Sequence, residues 1–375
     1  MISDISDRPP LRIGIVGPGN VLEAYLRAAD RLRAQGLAEV AAICGPERRR
    51  ERALRAAPGV EFSSEYGAFL ERRDIDIVVI LTPMAEHAPM ARAALEAGKH
   101  VLVEKPMAVT LEEGRDLLAV ASRRKVHLVP APFTILSPTF RAIAGRIRRG
   151  EIGRVVSARG RYGWAGPDWA EWFYRPGGGA IFDLGVYNLT TLTGLLGPVR
   201  RVVALTGVAV PERTVCGRAV RAEAEDNAHI LLDFGEGRLA AVTTGFSIQQ
   251  YRGPAVELYG TEGTIQLLGD DWDPDGYEVW MNAAGCWQRY KETAPDWPWT
   301  DGLRHLVECL LRGRKPLVTP EHAFHVLEVM VRAQESGRDG TARAVESELS
   351  ALALDDLPAG VSPHRIHDRT RIESD

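Results

Sequence analysis

Cysteine is scarce in this chain: Cys44, Cys216, Cys286 and Cys309 are scattered through 375 residues with no short spacing between them. That pattern suits neither a disulfide framework nor a zinc site, and it makes a reducing cytoplasm the expected compartment. No run of about 18 apolar residues occurs, so no membrane-spanning helix is expected. Met1–Pro10 is polar and acidic, with no basic flank and no apolar core, so no signal peptide is expected either. Basic residues are not in excess: 46 Lys and Arg stand against 50 Asp and Glu, a formal net charge of -4. This balance argues against a dedicated nucleic-acid or membrane surface. Aromatic residues make up only 7% of the chain, so the places where they gather carry information.

What is present is ordinary globular material in quantity. At 45% hydrophobic and 26% charged, the composition and length suit two domains, each with its own core. The first half alternates short apolar runs with helical periodicity. Leu11–Gly17 reads as a strand that breaks into Gly17-Pro18-Gly19-Asn20. A helix follows, with Val21, Leu22, Tyr25, Leu26, Ala29 and Leu32 on its apolar face. Strand, glycine turn and helix make a start at which backbone N–H groups approach a pyrophosphate. Gly17 and Gly19 fit that fingerprint, while Leu22 holds the third glycine position.

Val40–Cys44 is the second expected strand. Gly45 follows it where an Asp or Glu would bind the adenosine ribose. The arginines Arg48–Arg50 come next and could meet a 2′-phosphate, a lean toward NADP over NAD; they read equally as the solvated face of the next helix. Glu47 remains a possible ribose ligand. Asp76–Leu81 is a strand closing in Thr82-Pro83, and a helix over about 88–97 ends at Gly98. His100–Val103 is a buried strand that ends in Glu104-Lys105-Pro106. Thr110-Leu111-Glu112-Glu113 opens a capped helix, and Val126–Val129 is one more strand. The alternation means a doubly wound parallel sheet. Parallel strands present their carboxyl ends to a ligand crevice, so Lys105 is placed where cofactor and substrate could both reach it. Gly17, Gly19, Asn20, Gly45 and Arg48 are the expected cofactor-binding residues of the first two strands. Thr82, Pro83, His87, Glu104 and Lys105 are those of the next two; a helix-start role for His87 on its own backbone is the alternative.

Val16-Gly17-x-Gly19, Thr82-Pro83 with His87, and Gly98–Pro106 together resemble the glucose–fructose oxidoreductase/inositol dehydrogenase/rhizopine-catabolism (Gfo/Idh/MocA) family. Gly177-Gly178-Gly179-Ala180-Ile181-Phe182-Asp183-Leu184-Gly185-Val186-Tyr187 is similar to that family's second signature. The resemblance implies an N-terminal Rossmann domain and a C-terminal α+β domain on a mostly antiparallel open sheet. It also implies hydride transfer between a nicotinamide and a sugar, polyol or related alcohol. Tyr187 stands where many members carry histidine and is shared with a subgroup resembling dihydrodiol dehydrogenase. Met84 replaces a frequent asparagine, and the arginine common after the last Rossmann strand is missing from Pro132–Leu136.

In the second half, Ser137–Arg149 reads as a helix and Arg154–Tyr162 as a strand. The loop behind it holds Trp164, Trp169, Trp172, Phe173 and Tyr174. Aromatic faces suit a sugar or an aromatic diol, or alternatively pin the loop or fill a subunit interface. Trp164, Trp172, Tyr174, Arg175 and Asp183 are the expected substrate contacts, with Asp168 beside them. A helix beginning near Ile181 puts Asp183 and Tyr187 on one face. A tyrosine is a poor base at its ordinary pKa of about 10. A neighbouring Lys105 ammonium would favour the phenolate, which makes Lys105, Asp183 and Tyr187 the expected catalytic group. Hairpins are expected around Gly235-Glu236-Gly237 and Gly260–Gly263, and helices over about 302–312 and 321–336. The spacing of Glu321, His322, His325 and Glu328 fits solvated helix faces, so no metal is assigned.

The expected layout is a dinucleotide domain over 8–132, a substrate domain over 133–357 and a polar tail over 358–375. The expected activity is NAD(P)-dependent hydride transfer to or from a secondary alcohol of a sugar, cyclic polyol or diol. A redox-assisted glycoside-cleaving enzyme and a non-catalytic nucleotide or sugar sensor are the alternatives. An open antiparallel sheet needs a cover, so a homodimer or homotetramer through that sheet is expected.

Overall fold

The computed structural model describes residues 8–291, 294–350 and 352, together with the backbone of Arg365–Ile366. The chain divides into two compact units. The first runs to Phe133 and includes Pro176–Gly178 and Pro298–Val331; the second holds Thr134–Arg175, Gly179–Trp297 and the chain from Arg332 on.

The first unit is a parallel sheet of six strands in the order β3-β2-β1-β4-β5-β6. The strands are β1 (Leu11–Val16), β2 (Ala38–Cys44), β3 (Glu61–Ser63), β4 (Ile77–Ile80), β5 (His100–Val103) and β6 (Leu128–Pro130). Helices α1 (Leu22–Ala34), α2 (Arg50–Ala56), α3 (Tyr66–Glu71), α4 (Met84–Glu96) and α5 (Leu111–Arg124) connect them. All four residues of β4 are buried, as a strand covered on both faces requires. The capping box at Thr110 forms as expected, with Glu113 reaching back to the Thr110 N–H. The short pieces β3 and α3 lack a strong apolar period and are visible only in the structure, while α2 is the helix expected after β2. Strand order reverses between β1 and β4, the switch point at whose carboxyl edge such sheets bind ligands.

The second unit is built on a ten-stranded mixed sheet, order β17-β8-β11-β12-β7-β13-β14-β15-β16-β18. Its opening elements are α6 (Pro138–Arg148), β7 (Val155–Gly163), a π-helical turn at Ile181–Gly185, α7 (Val186–Leu196) and β8 (Arg201–Gly207). Next come β9 (Glu212–Val215) and β10 (Arg218–Arg221), a separate hairpin, and then β11 (Asn227–Gly235) and β12 (Arg238–Gly245). The series continues through β13 (Val256–Gly260), β14 (Gly263–Asp270), β15 (Asp273–Met281) and β16 (Cys286–Tyr290). Both expected hairpins form. The β7–β12 pair is parallel and the other described pairs of this sheet are antiparallel. Burial alternates along β11, with Ala228, Ile230, Leu232 and Phe234 inside. Helix α7 is buried almost all round; its threonines satisfy themselves by donating to the preceding turn, Thr190 Oγ1 to the Val186 carbonyl at 2.7 Å and Thr193 Oγ1 to that of Leu189 at 2.6 Å.

Helices α8 (Gly302–Arg312) and α9 (Pro320–Asp339) close the described chain, with β17 (Arg343–Ala344) and β18 (Arg365–Ile366) on the two edges of the large sheet. Chain order assigns α8 to the second region, yet it packs on α1 and β5 in the first unit. Gly302 there lies so close to the Phe133 ring that a Cβ would overlap it. His322, His325 and Glu328 are buried, which corrects the solvated faces read from their spacing. Among the described residues no group of three His, Cys, Asp or Glu is placed to hold a metal ion. Among the same residues no helix is long and apolar enough to cross a membrane. Apart from β18, the tail expected over 358–375 lies outside the described residues.

Candidate active site

The first unit gathers most of the expected dinucleotide residues at the carboxyl edge of its sheet. Gly17 follows β1 with φ +90, and a Cβ there would sit 2.8 Å from the Leu81 backbone. Only glycine tolerates both conditions. Helix α1 starts without a side-chain cap, the arrangement that leaves a helix N-terminus to an anion. Leu22 at the third fingerprint position is buried in the core. Gly45 has a local cause: a Cβ would lie 2.4 Å from Pro18 Cδ, so the proline of the glycine turn excludes an acid after β2. Glu47 is engaged by Arg50, 3.0 Å from its Nη2, while Arg48 and Arg49 are exposed. Asn20 is exposed and accepts from Arg52 at 3.5 Å. Thr82 Oγ1, after β4, is buried with no hydrogen-bond partner, and such an orphaned hydroxyl fits a bound polar group.

Lys105 is held from both sides along its backbone. Glu104 is buried; its Oε1 accepts from the Tyr25 hydroxyl at 2.7 Å and its Oε2 from the Lys105 N–H at 3.1 Å. His87 is buried; its Nδ1 lies 2.7 Å from the Pro106 carbonyl oxygen and its Nε2 2.8 Å from that of Thr82. Burial pulls the imidazole below its ordinary pKa, against the upward pull of the Pro106 carbonyl and the Glu104 carboxylate. Glu104 and His87, expected as cofactor contacts, each give one polar atom to the backbone around Lys105 and the other to Tyr25 or to the Thr82 carbonyl.

In the second unit the aromatic loop after β7 is pinned from the β9–β10 side. Arg213 Nη1 donates to the Ala165 carbonyl at 2.9 Å and the Phe246 carbonyl at 3.0 Å, and Nη2 lies 2.6 Å from Asp226 Oδ2. Its guanidinium sits over the Tyr174 ring, 5.2 Å from the centroid. Tyr174 is buried and donates its hydroxyl to the Pro167 carbonyl at 2.7 Å, and burial raises its pKa. It anchors the loop, whereas Trp164 and Trp169 stack at 5.5 Å with Trp169 44% exposed. Trp172 stacks on Phe173. Arg175 pairs with Glu223 and Glu171, and the Asp168 carbonyl accepts from the Cys216 N–H at 2.7 Å.

The helix expected from Ile181 begins as the π turn, so Asp183 lies in that turn and Tyr187 in the first turn of α7. The wider turn replaces the α-helical register on which the shared face was argued. Asp183 is buried and Tyr187 half-buried. The Tyr187 ring meets Tyr162 edge-on at 5.6 Å and Trp272 at 6.2 Å. Beneath it, Asp271 accepts from Asn188 Nδ2 and Thr191 Oγ1, both at 3.0 Å. Burial pushes the Asp271 carboxyl up to about 7.

Sequence reasoning missed Tyr162, Trp272, Arg213 and Asp271 as neighbours of these groups. The tryptophans from 272 to 299 separate: Trp272 faces Tyr187, Trp280 and Trp287 pair across β15 and β16, and Trp299 meets Tyr25 edge-on. A tryptophan directly after the Asp270-Asp271 pair was the one available signal for Trp272.

The model of an oxidoreductase family with an NAD-binding Rossmann fold matches residues 11–131, and that of the GFO/IDH/MocA C-terminal domain matches residues 140–266. The rhizopine catabolism protein MocA of Rhizobium meliloti is 30% identical over 72% of this chain and 82% of its own length. Trans-1,2-dihydrobenzene-1,2-diol dehydrogenase of Bos taurus is 27% identical over 86% of this chain and 96% of that protein. A solved levoglucosan dehydrogenase in complex with NADH and levoglucosan superposes with a TM-score of 0.78 at 23% identity, covering 90% of this chain and 99% of that one. At that identity the likeness speaks for the fold.

Proposed function

The chain belongs to the GFO/IDH/MocA oxidoreductase family, and from that membership we propose that it moves a hydride between a nicotinamide dinucleotide and a secondary alcohol or ketone of a sugar, cyclic polyol or related diol. It is an enzyme of the NAD(P)-dependent dehydrogenase and reductase class. The observation that carries the finer reading is the double hold on the loop of Lys105, from Glu104 on one side and His87 on the other. Fixing the backbone on both sides of Lys105 sets the point at the sheet edge from which its side chain reaches.

When bound, the nicotinamide supplies or accepts the hydride. Gly17, Gly19, Asn20, Thr82 and Pro83 are the residues to hold the dinucleotide, with the Thr82 hydroxyl gaining the partner it otherwise lacks. Lys105 polarises the reacting oxygen, Tyr187 gives or takes its proton, and Asp183 orients the reacting hydroxyl. Trp164, Trp172 and the Tyr162–Trp272 pair offer aromatic faces to the C–H face of a ring substrate. Gly45 with exposed Arg48 favours NADPH, since no acid repels a 2′-phosphate there. A second copy of the chain is the proposed cover for the sheet face bearing Leu205, Leu231 and Leu239, which are 69%, 58% and 54% exposed. Four free thiols accord with a cytoplasmic setting.

Lys105→Met tests the reading. Turnover is measured on levoglucosan, trans-1,2-dihydrobenzene-1,2-diol and a cyclitol panel, and cofactor binding by NADH and NADPH fluorescence. The variant is expected to lose turnover at least a thousandfold while nucleotide affinity stays within about threefold, as removal of a group acting mainly in the transition state requires. Retained turnover would sink the assignment.

A further inference from the structure

The π turn that carries Asp183 receives no capping bond from its own N-terminal residue, Ala180. The bonds come instead from Glu225, 44 residues further on, just before β11. Its backbone carbonyl accepts from the Ala180 N–H at 3.0 Å. Its Oε1 accepts from the next N–H, that of Ile181, at 3.2 Å. One residue thus satisfies two successive donors of the kind a helix start leaves open. On its other side Gln334 Nε2, from the last part of α9, lies 3.4 and 3.3 Å from the two carboxyl oxygens.

Gly179 shows how closely this contact is built. Its φ is +99, and a Cβ would fall 2.4 to 2.7 Å from the three atoms of the Glu225 carboxyl group. The glycine therefore serves two ends, a backbone conformation and an approach path for the carboxyl. The Gly179 carbonyl in turn accepts from the Asp183 N–H at 3.1 Å. The chain of contacts runs from Glu225 through Gly179, Ala180 and Ile181 to Asp183. We propose that Glu225 is a positioning residue for Asp183, fixing by its reach the turn that presents that carboxylate and leads into α7, whose first turn carries Tyr187. This rests on reading Asp183 as part of the reaction.

Burial of the Glu225 carboxyl group pushes its pKa up to about 7, against the downward pull of its own N–H, the Ile181 N–H and Gln334. The side chain meets the turn through one oxygen placed 3.2 Å from the Ile181 N–H, so reach can be tested apart from charge. That separates two conservative variants. Glu225→Gln keeps the reach and an acceptor oxygen; Glu225→Asp keeps the charge and withdraws it by one methylene.

The experiment compares Glu225→Gln, Glu225→Asp and Glu225→Ala in the full chain. Hydrogen–deuterium exchange of peptides spanning 180–190 and turnover on whichever panel compound the wild type uses are the readouts, with NADH and NADPH titration as control. Exchange at least tenfold faster and kcat at least tenfold lower are expected for Ala and Asp, with Gln within about threefold of wild type and nucleotide affinity unchanged. Wild-type exchange in Glu225→Ala overturns the proposal, and so does faster exchange with unchanged kcat. If Glu225→Ala does not fold, equal behaviour of the Asp and Gln variants overturns it. A wild type without turnover on any compound defeats the functional reading instead, and exchange alone then decides whether Glu225 orders the Asp183 turn.

Discussion

The clamp of Arg213 and Asp226 invites the most demanding test of these contacts. Asp226 is fully buried and Arg213 side chain 9% exposed. The carboxylate accepts from the Ala209 N–H at 2.5 Å, the Val210 N–H at 2.9 Å and Arg213 Nη2 at 2.6 Å. Asp226→Ala leaves a buried guanidinium without its counter-charge, a loss of about 3–5 kcal/mol. For a unit of this size each kcal/mol moves the midpoint by about 2–4 °C, so the second unit's transition is expected to fall by about 6–20 °C. Thermal unfolding followed by tryptophan fluorescence reads this directly, because Trp164, Trp169 and Trp172 sit on the loop that Arg213 holds. Arg213→Met/Asp226→Ala removes the unpaired charge but also the bonds from Arg213 to the Ala165 and Phe246 carbonyls, so the double variant should stay well below the wild type and lose less than the two single losses added together. The pair Arg201–Asp233 in the ten-stranded sheet, with Arg201 61% exposed, is the control and should cost no more than about 1 kcal/mol. If Asp226→Ala matches that control, or if the two single losses simply add in the double variant, the pair does not act as a clamp on the loop.

Two further outcomes are expected. The Asp271 carboxyl is raised from 3.8 to about 7 in the folded protein, so between those values the unfolded chain gives up its proton first. Its contribution is therefore present at low pH and lost as pH climbs toward 7; Asp271→Asn should flatten the fall of Tm between pH 4 and 7, and an unchanged slope refutes the assignment. Gly45→Asp alone should weaken both nucleotides, because its Cβ meets Pro18 Cδ at 2.4 Å. Pro18→Ala/Gly45→Asp should bind again and shift preference toward NADH, as fluorescence titration would show.

The strands of the first sheet other than β3 were legible because each centres on a short apolar run that ends in glycine, proline or a charged pair, and parallel order follows from the helices between them. Lys105 stands out in the sequence for a related reason: a charge at the end of a buried strand has to face a ligand edge or be neutralised. Its neighbours are a different case. Chain position places Glu104 and His87 at that edge, but it says nothing of which way their polar atoms turn. In the structure those atoms turn inward, to Tyr25, the Lys105 N–H and two carbonyls. The helix start at Ile181 was legible from its glycines, but not its π geometry, which depends on Glu225.

The missed residues share a pattern: each is a polar or aromatic side chain whose partner is remote in sequence. Glu225 reaches 44 residues back to Ile181 and 109 forward to Gln334, and Asp271 reaches about 80 residues back to Asn188 and Thr191. Periodicity reports how a side chain meets its own strand or helix, so it cannot see such pairs. Glycine partly can. Gly179 and Gly45 are both positions where a second residue, Glu225 in one case and Pro18 in the other, occupies the space of a Cβ. At Gly179 the positive φ also calls for glycine, whereas at Gly45 the close neighbour alone does. At Gly45 that neighbour also decides which charge the dinucleotide edge of β2 can carry.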